Sequence, residues 1–168
     1  KGENKAQGNW GEVILERVLE ESGLRKGHEY ETQVTLQHSE GAKRMPDVVV
    51  HLPDQKDIVI DSKVSLTAYE RFCSSEDESE KVQALNEHLA SMRSHIKDLS
   101  LKDYEGLEGL NTLDFVFIFV PVEAAFMTAL EHDPKLFSDA YDKNIIVVSP
   151  TTLLATMRTV ETIWRHER

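Results

Sequence analysis

Two aspartates and a lysine lie at matching ends of two short β-branched runs. Asp47 precedes the first run, and Asp61 and Lys63 end the second. A polar segment separates the runs, which predicts a β-hairpin folded about Asp54 and Gln55. In that hairpin Asp47 lies opposite Asp61 to Lys63, and Asp61 and Lys63 point to the same side of the sheet. Two carboxylates and an ammonium at one sheet end can hold a hard divalent cation and stabilise a developing oxyanion.

The same residues also have a purely structural interpretation. Asp61 ends an apolar run, where a carboxylate must be hydrated, paired or metal-bound. An ion pair between Asp61 and Lys63 at the surface satisfies that requirement at little energetic gain. Spacing alone favours the metal site and the ion pair equally. A shift of the hairpin register by one residue would move Asp47 to the opposite face of the sheet, away from Asp61 and Lys63.

Composition limits the classes of function that the chain can have. Its 168 residues are 40% hydrophobic, enough for one domain with a core. Its one cysteine excludes an internal disulfide framework and a cysteine-rich zinc site, and it fits a reducing, cytoplasmic compartment. Neither a membrane-spanning run nor a signal-peptide pattern is present. The missing initiator Met and the helical pattern at the end predict a fragment of a longer protein.

The charge distribution is acidic, with its greatest density in residues 73–109. The net charge of −11 is not the basic footprint of a tight nucleic-acid binder. A nucleic-acid function therefore depends on a local site and on a metal. Lys43 and Arg44, just before Asp47, are the compact basic pair that could contact DNA there.

The first helical pattern covers residues 9–22. Asn9 is a suitable N-cap, and Gly23 a suitable stop. Glu12 falls at the margin of the buried face. Spacing favours a solvated acid in the first turn of the helix, and the alternative is a carboxylate that points toward the sheet. The predicted apolar stripe consists of Trp10, Val13, Ile14 and Val18, widened by Leu15 and Leu19.

The longest helical pattern covers residues 78–99. Its apolar residues are spaced three and four apart, as in a coiled coil, at Val82, Leu85, Leu89, Met92, Ile96 and Leu99. This seam either packs on its own domain, the favoured interpretation, or pairs with another chain in self-association. His88 and His95 share a face seven residues apart, too far for the usual metal pair, and we expect them at the surface.

The remaining patterns complete the expected fold. Strands are predicted at residues 30–37, 114–120 and 144–149, and helices at 66–73, 122–131, 134–141 and 151–166. A hairpin followed by alternating strands and helices predicts the α/β class, with a mixed central sheet flanked by helices on both faces. We expect a single domain, 1–168, with a long helical insertion at about 74–112.

Five motifs along the chain resemble those of a known family. They are Gly8-Asn9-Trp10-Gly11-Glu12, Pro46-Asp47-Val48-Val49-Val50, Ile60-Asp61-Ser62-Lys63, Phe119-Val120-Pro121-Val122-Glu123-Ala124-Ala125-Phe126 and Ser149-Pro150-Thr151-Thr152-Leu153-Leu154. Together they resemble the RmuC family of bacterial DNA recombination proteins. The hairpin motifs also resemble the PD-(D/E)xK superfamily, whose members have a restriction-endonuclease-like core.

The resemblance implies a Mg²⁺- or Mn²⁺-dependent nuclease acting on DNA, with Asp47, Asp61 and Lys63 in the catalytic positions. Glu12 matches the acid on the first helix that completes the metal site in many superfamily members, and Gln33 is a possible accessory group. Relatives carry coiled-coil segments, and many have an N-terminal membrane anchor, which this sequence does not show. The superfamily also includes binding-only members, so a catalytically weak or inactive scaffold that binds DNA or protein is the alternative.

Overall fold

The strands lie in the sheet in the same order as in the chain. The computed structural model describes residues 2–32, 46–62, 64–99, 104 and 112–167. Within them, the strands are β1 (Tyr30–Thr32), β2 (Val48–Leu52), β3 (Lys56–Asp61), β4 (Thr112–Phe119) and β5 (Ile145–Val148). The pairs β1–β2 and β2–β3 are antiparallel, whereas β3–β4 and β4–β5 are parallel. The predicted mixed sheet is confirmed.

Helices cover both faces of this sheet. They are α1 (Gly2–Glu21), α2 (Thr67–Ser74), α3 (Glu78–Asp98), α4 (Glu123–His132), α5 (Pro134–Asp142) and α6 (Pro150–Glu167). Residues of α1 and α6 pack on one face, and residues of α3, α4 and α5 pack on the other. Successive strand residues alternate between the two cores, so Val48 joins the first and Val49 the second. None of the helices in the described ranges is long and apolar enough to cross a bilayer.

The turn between β2 and β3 fixes the register of the hairpin. Asp54 and Gln55 both have positive φ, at 68° and 58°. Leu52 pairs with Lys56, so Pro53, Asp54 and Gln55 form a three-residue loop that joins the strands. The ladder pairs Val48 with Ile60, one residue away from the register of a fold centred between Asp54 and Gln55.

Helix α1 differs from its prediction at its start and in its buried face. It begins at Gly2 rather than being capped by Asn9, and it ends as predicted at Gly23, which has a φ of +93°. Leu15, Val18 and Leu19 of the predicted stripe are buried, with Gly11 and Ser22 beside them, but Trp10 and Val13 are 45% and 54% exposed. The predicted stripe was therefore displaced: the face that meets the sheet is centred on Leu15.

Helix α3 has nearly its predicted bounds, but neither of its histidines is at the surface as predicted: His88 is buried, and the His95 side chain is only 17% exposed. His88 is fully buried, and its Nε2 lies 3.0 Å from the carbonyl oxygen of Ala125, so the surface prediction was wrong. It lies four residues after buried Ala84 and four before buried Met92, in a row that faces the core. Of the predicted seam, Met92, Ile96 and Leu99 are buried in the chain's own core, and Val82 is 56% exposed.

Candidate active site

The hairpin register brings Asp47 and Asp61 to the same end of the sheet. Val48 pairs with Ile60, so one further step places Asp47 across from Asp61. Residues that face each other across antiparallel strands have Cα atoms about 4.5–5.5 Å apart and side chains on the same face. Both carboxylates are buried, with 6% of Asp47 and 3% of Asp61 exposed. Both aspartates therefore lie at the end of the hairpin that the sequence predicted, just beyond the pair of Val48 and Ile60.

Ser62 orients the carboxylate of Asp47. Its backbone N–H donates to Asp47 Oδ2 at 2.9 Å, and its hydroxyl lies 3.2 Å from the same oxygen. Ser62 is itself buried, and it separates Asp61 from Lys63 in the sequence. Two donors on one oxygen restrict the rotation of this carboxylate, so Ser62 fixes its orientation.

Two residues outside the predicted site contact Asp61, and one of them, His95, was expected at the surface. The hydroxyl of Tyr104 donates to Asp61 Oδ2 at 3.3 Å, and His95 Nε2 lies 3.5 Å from Asp61 Oδ1. Tyr104 is fully buried, and the His95 side chain is 17% exposed. His95 lies three residues after Met92 and four before Leu99, both buried, which is the sequence signal that could have placed it on the inner face. Tyr104 lies in a glycine-punctuated stretch with no comparable periodicity.

Glu12, on helix α1, lines the same cavity as Asp47. The two residues line a cavity of about 50 Å³, together with Leu15, Glu16, Thr32 and Val48. Such a volume is enough for a water molecule or a small cation. Helix α1 passes close to the end of β3, because a Cβ built on Gly11 would lie 3.6 Å from the carbonyl oxygen of Ser62. Glu12 is half-buried in this position.

Four of the predicted site residues lie outside the described residues: Lys63, Gln33, Lys43 and Arg44. Among the described residues, no three His, Cys, Asp or Glu side chains form a group that could hold a metal ion. The structure thus brings Asp47 together with Asp61 and Asp47 together with Glu12. The complete metal set and the catalytic roles stay predictions.

The comparison with known proteins starts from the whole chain. A model of the RmuC family matches residues 1–168. The chain belongs to the RmuC family. It is 57% identical over 168 residues to a DNA recombination protein RmuC homolog of Vibrio cholerae, covering 100% of this chain and 33% of that protein. It is also 57% identical over 164 residues to the DNA recombination protein RmuC homolog of Pseudomonas aeruginosa, covering 98% of this chain and 36% of that protein.

A third relative gives the same result. The DNA recombination protein RmuC of Escherichia coli K12 is 54% identical over 167 residues, covering 99% of this chain and 35% of that protein. The chain therefore spans about a third of the length of these relatives. No solved structure matches it. The α/β fold is observed, whereas the restriction-endonuclease-like core stays a prediction.

Two further RmuC motifs meet near the same sheet edge, where β4 and β5 end. The carboxylate of Glu123, in the first turn of α4, accepts a hydrogen bond from the backbone N–H of Thr151 at 3.0 Å. Partial burial raises the pKa of Glu123, but hydrogen bonds from Thr151 and Ser149 outweigh it and hold that pKa below its usual range. Glu123 therefore caps the start of α6, which is a structural role.

Proposed function

We propose that this chain is a metal-dependent nuclease domain that hydrolyses DNA phosphodiester bonds. The observation that carries the proposal is that two buried carboxylates, Asp47 and Asp61, lie at the same end of the hairpin, just beyond the pair of Val48 and Ile60. The relatives are named DNA recombination proteins, which supplies DNA as the substrate class and recombination as the setting. The restriction-endonuclease-like assignment belongs to the same proposal.

The donor set suits Mg²⁺ or Mn²⁺. Mg²⁺ prefers oxygen ligands, keeps several waters and is usually bound through one or two carboxylates plus substrate phosphate oxygens. Asp47 and Asp61 supply two such carboxylates, and Glu12, which lines a cavity with Asp47 but not with Asp61, would have to move toward them to become a third ligand. A bound cation would lower the pKa of a water ligand and neutralise charge on the phosphate.

The protein side chains would perform the remaining tasks. Ser62 holds Asp47 in a fixed orientation through two hydrogen bonds to one oxygen. Lys63 is proposed to orient the attacking water or to stabilise the charge that develops on the phosphate. Lys43 and Arg44, which precede Asp47 in the sequence, are proposed to contact the DNA backbone, and Gln33 to be an accessory polar group.

The test is cleavage of branched, single-stranded and double-stranded DNA with Mg²⁺ or Mn²⁺. We expect Asp61→Asn and Lys63→Ala to abolish cleavage, because each removes a group acting at the scissile phosphate. Glu131→Gln, an exposed acid at the far end of α4, is the matched control and should retain wild-type rates. Cleavage that persists unchanged in both site variants would refute the assignment.

A scaffold that binds without cutting is the second candidate. The observation that favours it is Val82, which is 56% exposed at the start of α3, where the predicted seam leaves the core. For this function we expect no divalent binding at millimolar concentrations by calorimetry, together with stable self-association by light scattering. Metal binding that depends on Asp61 would instead support the nuclease.

A further inference from the structure

Helix α3 reaches the candidate site from outside the hairpin. It packs on the same sheet face to which Asp61 points, with Met92 and Ile96 buried in the core. His95, in its last turn, is the residue that approaches Asp61. The helix is fixed there by packing, so the position of His95 is set by α3 and not by the strands.

We propose that His95, together with Tyr104, is a positioning residue that fixes the orientation of the Asp61 carboxylate for cation binding. The proposal rests on the proposed nuclease function and adds to it the residues through which α3 controls the site. The two groups face different oxygens, His95 at Oδ1 and Tyr104 at Oδ2. A carboxylate contacted at both oxygens is restricted in rotation about its last bond.

The geometry of His95 shows a contact that is nearly formed. Its Nε2 is buried and has no hydrogen-bond partner within the described ranges, although it lies 3.5 Å from Asp61 Oδ1. A shift of a few tenths of an ångström would bring the two atoms to about 3 Å, a normal hydrogen bond. Groups that hydrogen-bond a ligating carboxylate typically change metal affinity by about 10- to 100-fold when replaced.

The direction in which a His95 substitution changes cation affinity distinguishes a positioning role from a charge-neutralising role. If His95 served only as a positive charge beside Asp61, a neutral replacement would make the site more negative and strengthen cation binding. If His95 positions Asp61 through an N–H donor, an apolar replacement weakens binding, and a replacement that restores an N–H donor recovers it. Glutamine places its amide nitrogen near the position of the imidazole Nε2.

The experiment measures Mn²⁺ affinity of the chain by electron paramagnetic resonance, with thermal unfolding recorded in parallel. We expect His95→Leu to weaken Mn²⁺ binding by about 10-fold and His95→Gln to stay within about threefold of the wild type. His88→Leu is the matched control on the same helix. It removes the hydrogen bond to Ala125 and lowers the melting temperature without changing Mn²⁺ affinity.

The outcomes distinguish this inference from the proposed function. If Asp61→Asn abolishes Mn²⁺ binding while His95→Leu and Tyr104→Phe both bind as the wild type does, the positioning role is overturned and the nuclease site stands. Tighter binding by His95→Leu would also overturn it. If the wild type and Asp61→Asn bind alike, the metal site itself is refuted. Should His95→Leu fail to fold, Tyr104→Phe, which removes one hydroxyl, tests the same role by weaker Mn²⁺ binding.

Discussion

His51 joins three strands at the end of the sheet opposite the aspartate pair. Its Nδ1 lies 2.7 Å from Asp57 Oδ1, and its Nε2 lies 2.8 Å from Glu31 Oε2. Asp57 is buried, whereas half of the Glu31 side chain is exposed. An imidazolium donates from both ring nitrogens, so this arrangement favours the charged form of His51. The pKa of His51 is raised to about 9, mainly by the hydrogen bond to Asp57. Partial burial lowers this pKa, and the hydrogen bond to Glu31 raises it further.

We expect stability to depend on pH through His51. Because its folded pKa is raised from 6.5 to about 9, its contribution is complete below about pH 6.5 and is lost as pH rises through about 9. Water screens the pair with Glu31, so we expect the loss to be about 1 kcal/mol. Urea unfolding at pH 6, 7.5 and 9.5 measures this loss in the free energy of unfolding.

His51→Gln should remove this pH dependence, since glutamine does not titrate. His28→Gln, in an exposed turn, should leave it unchanged. A wild-type free energy of unfolding that is constant from pH 6 to 9.5 would contradict the prediction.

The residues of the candidate site differ in how far the sequence could predict them. Asp47 and Asp61 followed from alternation and turn position, because strand register is determined locally by the hairpin. The contacts of His95 and Tyr104 with Asp61 depend on how α3 and Tyr104 pack against the sheet. No short-range pattern encodes that packing, so these two residues were missed.

At the scale of the elements, Arg93 links α3 to the connection between α4 and α5. Its Nε and Nη2 donate to the two carboxylate oxygens of Asp133 at 2.7 and 2.8 Å, and its Nη1 donates to Asp139 at 3.0 Å. The Arg93 guanidinium is the main cause that holds the pKa of Asp133 and of Asp139 below their usual range. A two-pronged contact of this kind fixes direction as well as distance.

We expect Arg93→Met to lower the free energy of unfolding by about 1 kcal/mol, since the pair with Asp133 is partly exposed but well aligned. Urea unfolding at low and at 0.5 M salt measures it, and the difference from the wild type should shrink in salt. Arg165→Met, which removes a pair within α6, is the control and should cost only a few tenths of a kcal/mol. Equal effects of the two changes would contradict the linking role.

The order of the elements was predictable, but the buried faces of two helices were not. Apolar periodicity located α3 to α6 within a few residues, because it is a local property of the sequence. In α1, hydrophobicity predicts Trp10 and Val13 in the core, yet Gly11 lies on the buried face instead, next to Ser62 and Pro121. Because glycine has no side chain, it allows a helix to approach a strand closely, and a hydrophobic pattern does not identify such a position. His88 was misplaced because a polar residue was assumed to be exposed.

At the scale of the whole molecule, the charge opposes the proposed substrate. With a net charge of −11, the chain repels DNA at long range, and binding must come from a few local cations. We therefore expect dissociation constants in the micromolar range or weaker at about 0.15 M salt. Fluorescence anisotropy with labelled single-stranded, duplex and branched DNA measures them. Nanomolar binding at that salt concentration would contradict the expectation.

The same repulsion can locate the DNA on the surface. If DNA approaches the sheet end that carries Asp47 and Asp61, then Asp47→Asn removes a negative charge next to the phosphates. In EDTA, we expect this variant to bind DNA about threefold more tightly. The asparagine keeps an oxygen that can accept the Ser62 N–H, so the hairpin should remain folded. Glu131→Gln removes the same charge far from the site and should change affinity less. Equal gains for the two variants would place the DNA elsewhere, because the effect would then reflect net charge alone.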